Sequence, residues 1–364
     1  MTLTGKALSR SDGASGDGAG GDAVSGHGTS DACRYNTRQE VGSLRIPYGN
    51  RLLQGLVTRR REWRRWRNFI TSADARRVRQ ALELPPLPRR RRRGVVWGVT
   101  LVKNEADIIQ PVIEHLFAQG LHGVLVADNM STDDTPNILR ELASSYPLYI
   151  ARDQEEAFLQ GLKMTLLADW ARRAGAAWVV PCDADELWFA PEGTVAEFLN
   201  ATSADVVSAA MHNLFPVTGV EFRHGPWKLE VAPCAWEKVA FRSHPWAILS
   251  EGNHRVWRPG ELKKTAGLRI VHIPWRSYEQ FKRKGRQGAR GLGLTGLSEA
   301  TGFHWRHLGR LEEEGLREVW KRLVQGETVA EIGWTPRGES RLADPFTWTT
   351  WEEEGEAEAR TGSC

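Results

Sequence analysis

The chain has little cysteine: four residues in 364, at positions 33, 182, 234 and 364, with no CxxC pair and no zinc-like spacing. That excludes a disulfide-stapled scaffold and points to a reducing compartment. No apolar run approaches the ~20 residues that span a bilayer. The N-terminus lacks the apolar stretch of a signal peptide, so a cytoplasmic protein is the expectation. Net charge is small, +4 from 49 basic and 45 acidic residues, so a nucleic-acid-binding role would rest on one local segment. Arginine is concentrated before Gly94. What is plentiful is tryptophan, at 16 residues. Trp suits both cores and carbohydrate-stacking surfaces, and the core is the expected place for most of them.

Residues 1–58 divide into a Gly/Ser/Ala/Asp-rich stretch to residue 32 and a mixed lead-in. The first part carries too little apolar area to offset ordering entropy, so the region is expected to be disordered or weakly ordered. Residues 59–93 form a basic segment, RRREWRRWRNF and then DARRVRQALEL, closed by prolines 85, 86 and 88 and an arginine run. Trp63, Trp66, Phe69 and Ile70 fall on one helical stripe. Two uses are open: a helix packed on the main domain by that stripe, or a basic amphipathic helix contacting an anionic membrane at its inner face.

From Gly94 the pattern becomes regular. Residues 95–102 (VVWGVTLV) read as a buried strand, and apolar residues at helical spacing follow over 108–117. A second strand, 123–128, is followed by a helix that Thr135 caps and Pro136 begins. A short strand over 147–151, a long helix over 155–174 and a strand over 178–180 complete the series. Strand alternating with helix predicts an α/β fold, a Rossmann-like, mostly parallel sheet flanked by helices. Ligands in such sheets sit at the carboxyl ends of strands. Each polar cluster falls there: Lys103-Asn104-Glu105, Asp128 to Asp134, and Asp183-Ala184-Asp185-Glu186.

The last cluster places three carboxylates within four residues. Such a group repels itself unless neutralised, and a divalent cation neutralises it while leaving positions for substrate phosphates. In extended backbone Asp183 and Asp185 share a side and face one ion. The plain alternative is a solvated acidic turn that caps a helix.

Together VKNEADII, DNMSTDDT and DADELW, with the later HIPWRS, resemble the motifs of family 2 glycosyltransferases of the GT-A fold, in the bacterial branch that reads VKNE, DNxSTDGT and DADEF. The resemblance spans roughly residues 94–284. It implies transfer of a sugar from a nucleotide-diphosphate donor, usually with inversion. It implies that Asn104, Glu105 and Asp128 hold nucleobase and ribose. It also implies that Asp183 and Asp185 hold Mn2+ or Mg2+ on the diphosphate, with Asp185 the direct ligand and Asp183 reaching ribose or a metal-bound water. A downstream histidine completes such a metal shell: His272 first, His254 as alternative. Met130 and Asp134 stand where the family often has glycine, and the QxxRW signature of processive synthases is missing, since Gly291 follows Arg290. Transfer of a single sugar is therefore expected. Asp133 and Asp134 are expected to serve the helix start instead.

The pattern after Pro191 is less regular. Inverting transfer needs a carboxylate to take the acceptor proton. Glu251 is the first candidate, with Glu237 and Glu230 behind it. Arg276, Lys282, Arg283 and Lys284 are candidates for the diphosphate. The expected division is 1–58, the basic segment 59–93, a glycosyltransferase domain 94–290, a helical extension 291–351 and an acidic tail 352–364. The acceptor, whether glycan, lipid or protein, is not readable. The competing readings are a nucleotidyltransferase on a similar scaffold and a non-catalytic carbohydrate- or nucleic-acid-binding protein.

Overall fold

In the computed structural model, residues 51–217, 222 and 225–351 are described, with side chains from residue 58 onward. The expectations for residues 1–50 and for the acidic tail lie outside the described residues.

Helices α1 (Arg51–Ile70) and α2 (Ala73–Ala81) lead into the short strand β1 (Leu82–Glu83). The helix α1 thus begins at Arg51, inside the stretch expected to be weakly ordered. Ser72 caps α2 by accepting from the Ala75 amide. The series β2 (Val95–Val102), α3 (Ile109–Ala118), β3 (Gly123–Asp128), α4 (Thr135–Ser145) and β4 (Leu148–Asp153) follows. Then come α5 (Gln160–Ala174), β5 (Ala176–Pro181), β6 (Glu186–Phe189), α6 (Val195–Ala201), β7 (Val206–Phe215), β8 (Trp227–Glu230) and β9 (Glu237–Arg242). Two-residue strands β10 (Ile248–Leu249) and β11 (Val256–Trp257) precede the long β12 (Lys264–His272). Helices α7 (Tyr278–Gly293), α8 (Phe303–Arg310) and α9 (Glu313–Gln325) and strand β13 (Ser340–Ala343) close the described chain.

The main sheet runs β1-β4-β3-β2-β5-β9-β7-β12-β6, with β8 and β13 attached beside β7. Strands β4, β3, β2 and β5 are parallel neighbours, as the strand–helix alternation predicts. Beyond them β9 inserts antiparallel between β5 and β7, and β12 is parallel to β7. Side chains alternate along each strand, so Val96, Val124 and Val180 pack with α3, α4 and α6 while Trp97, Leu125 and Val179 pack with α5 and α2. Both faces are covered, which explains the near-continuous apolar strands. A third cluster, including Trp275, Phe281, Leu308 and Leu316, joins α7, α8 and α9.

Most expected elements recur with their boundaries, but two do not. The helix expected from residue 155 begins at Gln160, because Glu155 spends its groups on a loop. Its carboxylate accepts from the Ala157 amide, and its carbonyl accepts from Lys163 and Asn129. Helix α4 is preceded by Asp134, not by Thr135, as its cap residue. Gly175 ends α5 with φ 114°, and a Cβ there would lie 2.3 Å from the Arg92 carbonyl, where the proline-arginine linker crosses.

Candidate active site

The carboxyl ends of β2, β3 and β5 meet at one edge, and Asn104 knits the first two. It takes a left-handed φ of 57°, a conformation Asn tolerates better than most residues. Its Oδ1 accepts from the Thr132 amide at 2.7 Å and from the Asp133 amide at 3.3 Å. Asp133 in turn accepts from the Thr135 amide at 3.0 Å and the Ala106 amide at 3.2 Å, which is the helix-start role expected for it. Asp128 is half-buried and, among the described residues, its carboxylate accepts from the Ser131 amide alone, at 3.2 Å. Met130 has φ 56°, in the region that favours glycine. The chain thus keeps the backbone a glycine would give and bears about 1–2 kcal/mol for it.

The acidic turn gives Asp183 and Asp185 different protein partners. Strand β5 ends at Pro181 and a tight turn at 184–185 redirects the chain into β6, so the backbone between the two carboxylates is not extended. Asp183 lies 2.5 Å from Lys238 Nζ through Oδ2, and its Oδ1 accepts from Gln160 at 2.9 Å and Asn253 at 3.0 Å. Lys238, on β9 and buried, also lies 2.9 Å from the fully buried Glu186. Burial pushes the Glu186 carboxyl up to about 7 against the pull of that lysine. Asp185 is bonded to Lys284 and lies 3.9 Å from His272 Nε2.

His272 ends β12. Its Nδ1 is 2.9 Å from Asn213 Oδ1, and the Asn213 amide nitrogen donates to Glu230 at 2.7 Å. Because Glu230 accepts that amide, Asn213 presents its oxygen to the ring, so the network assigns the proton to Nδ1 and a lone pair to Nε2. Burial pushes His272 down to about 4, which keeps the ring neutral. The Asp185 carboxylate and the Nε2 lone pair are therefore two acceptors facing one space. A ring nitrogen held by an outer partner beside a carboxylate suits a divalent cation. This pair fits; Asp183 is held by Lys238, Gln160 and Asn253. Among the described residues no group of three or more His, Cys, Asp or Glu side chains is gathered as a metal cage.

Helix α7 and the segment before it cover the edge with cations. Arg276 is buried. It bonds Glu105, chelates Asp107 at 2.7 and 3.0 Å, and donates to the Ile273 carbonyl at 3.2 Å. Burial lifts the Asp107 carboxyl, but the Arg276 hydrogen bonds and charge outweigh it and hold Asp107 below its ordinary range. The guanidinium is thus occupied by protein. Arg276→Met strands two carboxylates and is expected to cost about 3–5 kcal/mol, read as a lower urea midpoint; an unchanged midpoint would show that the clamp is dispensable. Arg283 donates to the Asn104 carbonyl at 2.9 Å. Lys282 points away from the edge to Glu313, at 2.6 Å, so its expected reach to a diphosphate is not what the structure shows.

Of the carboxylates considered for proton transfer, Glu230 is held on both oxygens, by Asn213 and by the Arg337 amide at 2.9 Å. Glu237 is exposed at the start of β9. Glu251 accepts from the Gly161 amide at 3.0 Å, in the first turn of α5, and burial pushes its carboxyl up to about 7. Gly161 permits this approach: a Cβ would lie 2.8 Å from the Leu249 carbonyl. Glu251 also stands close to Asp183, because Gln160 bridges the Gly252 amide (3.0 Å) to that carboxylate. His254 has its Nδ1 2.8 Å from the Glu237 carbonyl and its ring against Trp236, near enough to Asp183 and Lys238 to feel their charges.

Lys238, Gln160, Asn213, Asn253 and Asp107 complete the site without having been singled out by sequence. A charged residue opening the apolar run KVAF was the signal for Lys238. The other four are polar residues whose roles come from contacts across 23 to 169 positions.

Residues 99–253 match the model of the family described as Glycosyl transferase family 2. No curated protein matches the chain. Among solved structures, S. aureus TarS 1-349 is 14% identical with a TM-score of 0.33, over 63% of this chain and 73% of that one. The mannosyltransferase PcManGT from Pyrobaculum calidifontis, in complex with GDP-Man and Mn2+, is 15% identical with a TM-score of 0.33, over 77% of this chain and 86% of that one. A glucosyl-3-phosphoglycerate synthase from Mycobacterium tuberculosis is 20% identical with a TM-score of 0.23, over 32% and 44%. The matched segment contains the ends of β2, β3 and β5 and both Glu251 and Asn253, so the chain carries a glycosyltransferase domain of family 2.

Proposed function

We propose that the chain transfers a single sugar from a nucleotide-diphosphate donor, with inversion, and depends on a divalent cation. The observation that carries this reading is the facing pair of acceptors, Asp185 and His272 Nε2, at the carboxyl edge of the sheet. In this reading Mn2+ or Mg2+ is held there and supplies charge neutralisation to the departing diphosphate. Asp128, half-buried with one hydrogen bond among the described residues, accepts from a nucleobase N–H or a ribose hydroxyl. Asn104 and Glu105 shape the same edge through Thr132 and Arg276. Asp183 keeps lone pairs for ribose. Glu251 takes the proton from the acceptor hydroxyl as its oxygen bonds to the anomeric carbon and the bond to diphosphate breaks. Calorimetry with UDP, GDP and ADP tests the donor site: one is expected to bind, tightly with Mn2+ and weakly with EDTA. Absence of binding by all three would defeat the reading.

A peripheral membrane contact belongs to the same proposal. No helix among the described residues is long and apolar enough to cross a membrane. Helix α1 instead docks by one face, with Trp66 6.1 Å from Trp246 and Arg65 over Trp257. Arg59, Arg60, Arg61 and Arg64 are exposed on it around a Trp63 that is 39% exposed, with no ion pair among the described residues. Basic side chains contribute about 1 kcal/mol each at an anionic surface. Vesicles rich in phosphatidylglycerol should bind the chain, and the fourfold variant R59Q/R60Q/R61Q/R64Q about a thousandfold more weakly. Equal binding to neutral phosphatidylcholine would contradict this.

A further inference from the structure

Lys284 projects from α7 onto Asp185 Oδ2, the oxygen that lies 3.9 Å from His272 Nε2. Its Nζ is also 3.8 Å from Glu105 Oε1, and its side chain is 24% exposed. The other cations of the cover are differently employed. Arg276 is locked between Glu105 and Asp107, Arg283 binds the Asn104 carbonyl, and Lys238 serves Asp183 and Glu186. Lys284 is thus the ammonium that sits on the carboxylate oxygen a divalent cation would take. Two cations cannot share that oxygen and the adjoining space without strong repulsion. A nucleotide diphosphate arriving with the cation brings negative charge to the same place, and a four-carbon stem lets the ammonium follow it.

Building on the proposed donor site, we propose that Lys284 is an exchanging counterion: it neutralises Asp185 in the free protein, opposes the cation alone, and moves onto the diphosphate when cation and donor bind together. The cation and the diphosphate are then coupled through one side chain. Each binds more tightly in the presence of the other, by the same factor.

The test is Mn2+ titration, followed by the EPR signal of free Mn2+, with and without the nucleoside diphosphate identified by calorimetry. Wild type, Lys284→Met, Lys284→Gln and Asp185→Asn are compared, with thermal unfolding to confirm folding. Removing the ammonium is expected to tighten Mn2+ alone by about tenfold and to weaken the diphosphate in saturating Mn2+ by about tenfold, within the usual range of coupling between sites. The opposite signs are the signature, because a merely structural role would weaken both. Unchanged Mn2+ affinity in both lysine variants, with Asp185→Asn still abolishing it, would overturn the exchange and leave the metal site standing. Mn2+ binding indifferent to Asp185→Asn would overturn both.

Discussion

Asp185→Asn lowers nucleotide-sugar turnover by about a thousandfold or more while leaving a folded protein. The magnitude follows from what the carboxylate does in the proposed site. It is the charged partner of His272 in holding the cation, and a cation on the leaving diphosphate supplies several kcal/mol of charge stabilisation. About 4 kcal/mol lost from the barrier is a factor of a thousand. Folding survives because Asn keeps the shape and a hydrogen-bond acceptor for Lys284, which is partly exposed and can also reach Glu105. Asp183→Asn should differ. It removes a charge from the buried Lys238, leaving Glu186 as that lysine's remaining acidic partner, so its main effect is on stability. Steady-state turnover and unfolding midpoints of the two variants separate these outcomes; equal activity loss with equal destabilisation would merge their roles.

Glu251→Gln should move activity and stability in opposite directions. As the group that takes the acceptor proton, Glu251 contributes about 10²–10⁴ in kcat/KM, and the rise of rate with pH near 7 should vanish in the variant. The stability effect follows from linkage. The folded carboxyl titrates at about 7 and an ordinary one at 4.5, so the folded state binds more protons between these values. Wild-type stability therefore falls as pH rises from about 4.5 to about 7, by roughly 1–3 kcal/mol allowing for partial exposure. Gln can still accept from the Gly161 amide and has no charge to bury. The variant should be more stable than wild type at pH 8, with the difference shrinking towards pH 4.5. Full activity in Glu251→Gln would reduce Glu251 to a cap for α5, and Glu237 would become the carboxylate to test.

The parts of the fold that were legible are those in which local pattern and tertiary packing agree. Residues 95–102 and 123–128 became β2 and β3 with the expected limits, because both faces of those strands are buried and only polar residues flank them. Helix α7 was not legible, and its glycines explain why. Gly285, Gly288 and Gly291 each weaken an isolated helix. Here a Cβ would lie 3.1 Å from Leu308, 2.9 Å from Trp305 and 3.2 Å from the Glu156 carbonyl. The glycines let α8 and a loop press against α7, a reason that exists only in three dimensions. The site divides the same way. The strand-end clusters announced the edge, but the backbone from Asp183 to Asp185 is not extended, since a turn occupies 184–185. Arg276 has the chemistry to grip phosphate, yet Glu105 and Asp107 claim it. A side chain's chemical capacity can be read from sequence, whereas its partner is set by the strands that meet it.

A metal-dependent donor site at this edge consumes a nucleotide sugar only when the cation is present. Wild type would be incubated with a panel of UDP-, GDP-, ADP- and dTDP-sugars in Mn2+, Mg2+ or EDTA, with Asp185→Asn in parallel and released nucleoside diphosphate as the signal. The expected result is slow hydrolysis of one donor by wild type in the presence of metal, abolished by EDTA and by Asp185→Asn. Consumption that persists in EDTA and in Asp185→Asn would contradict it.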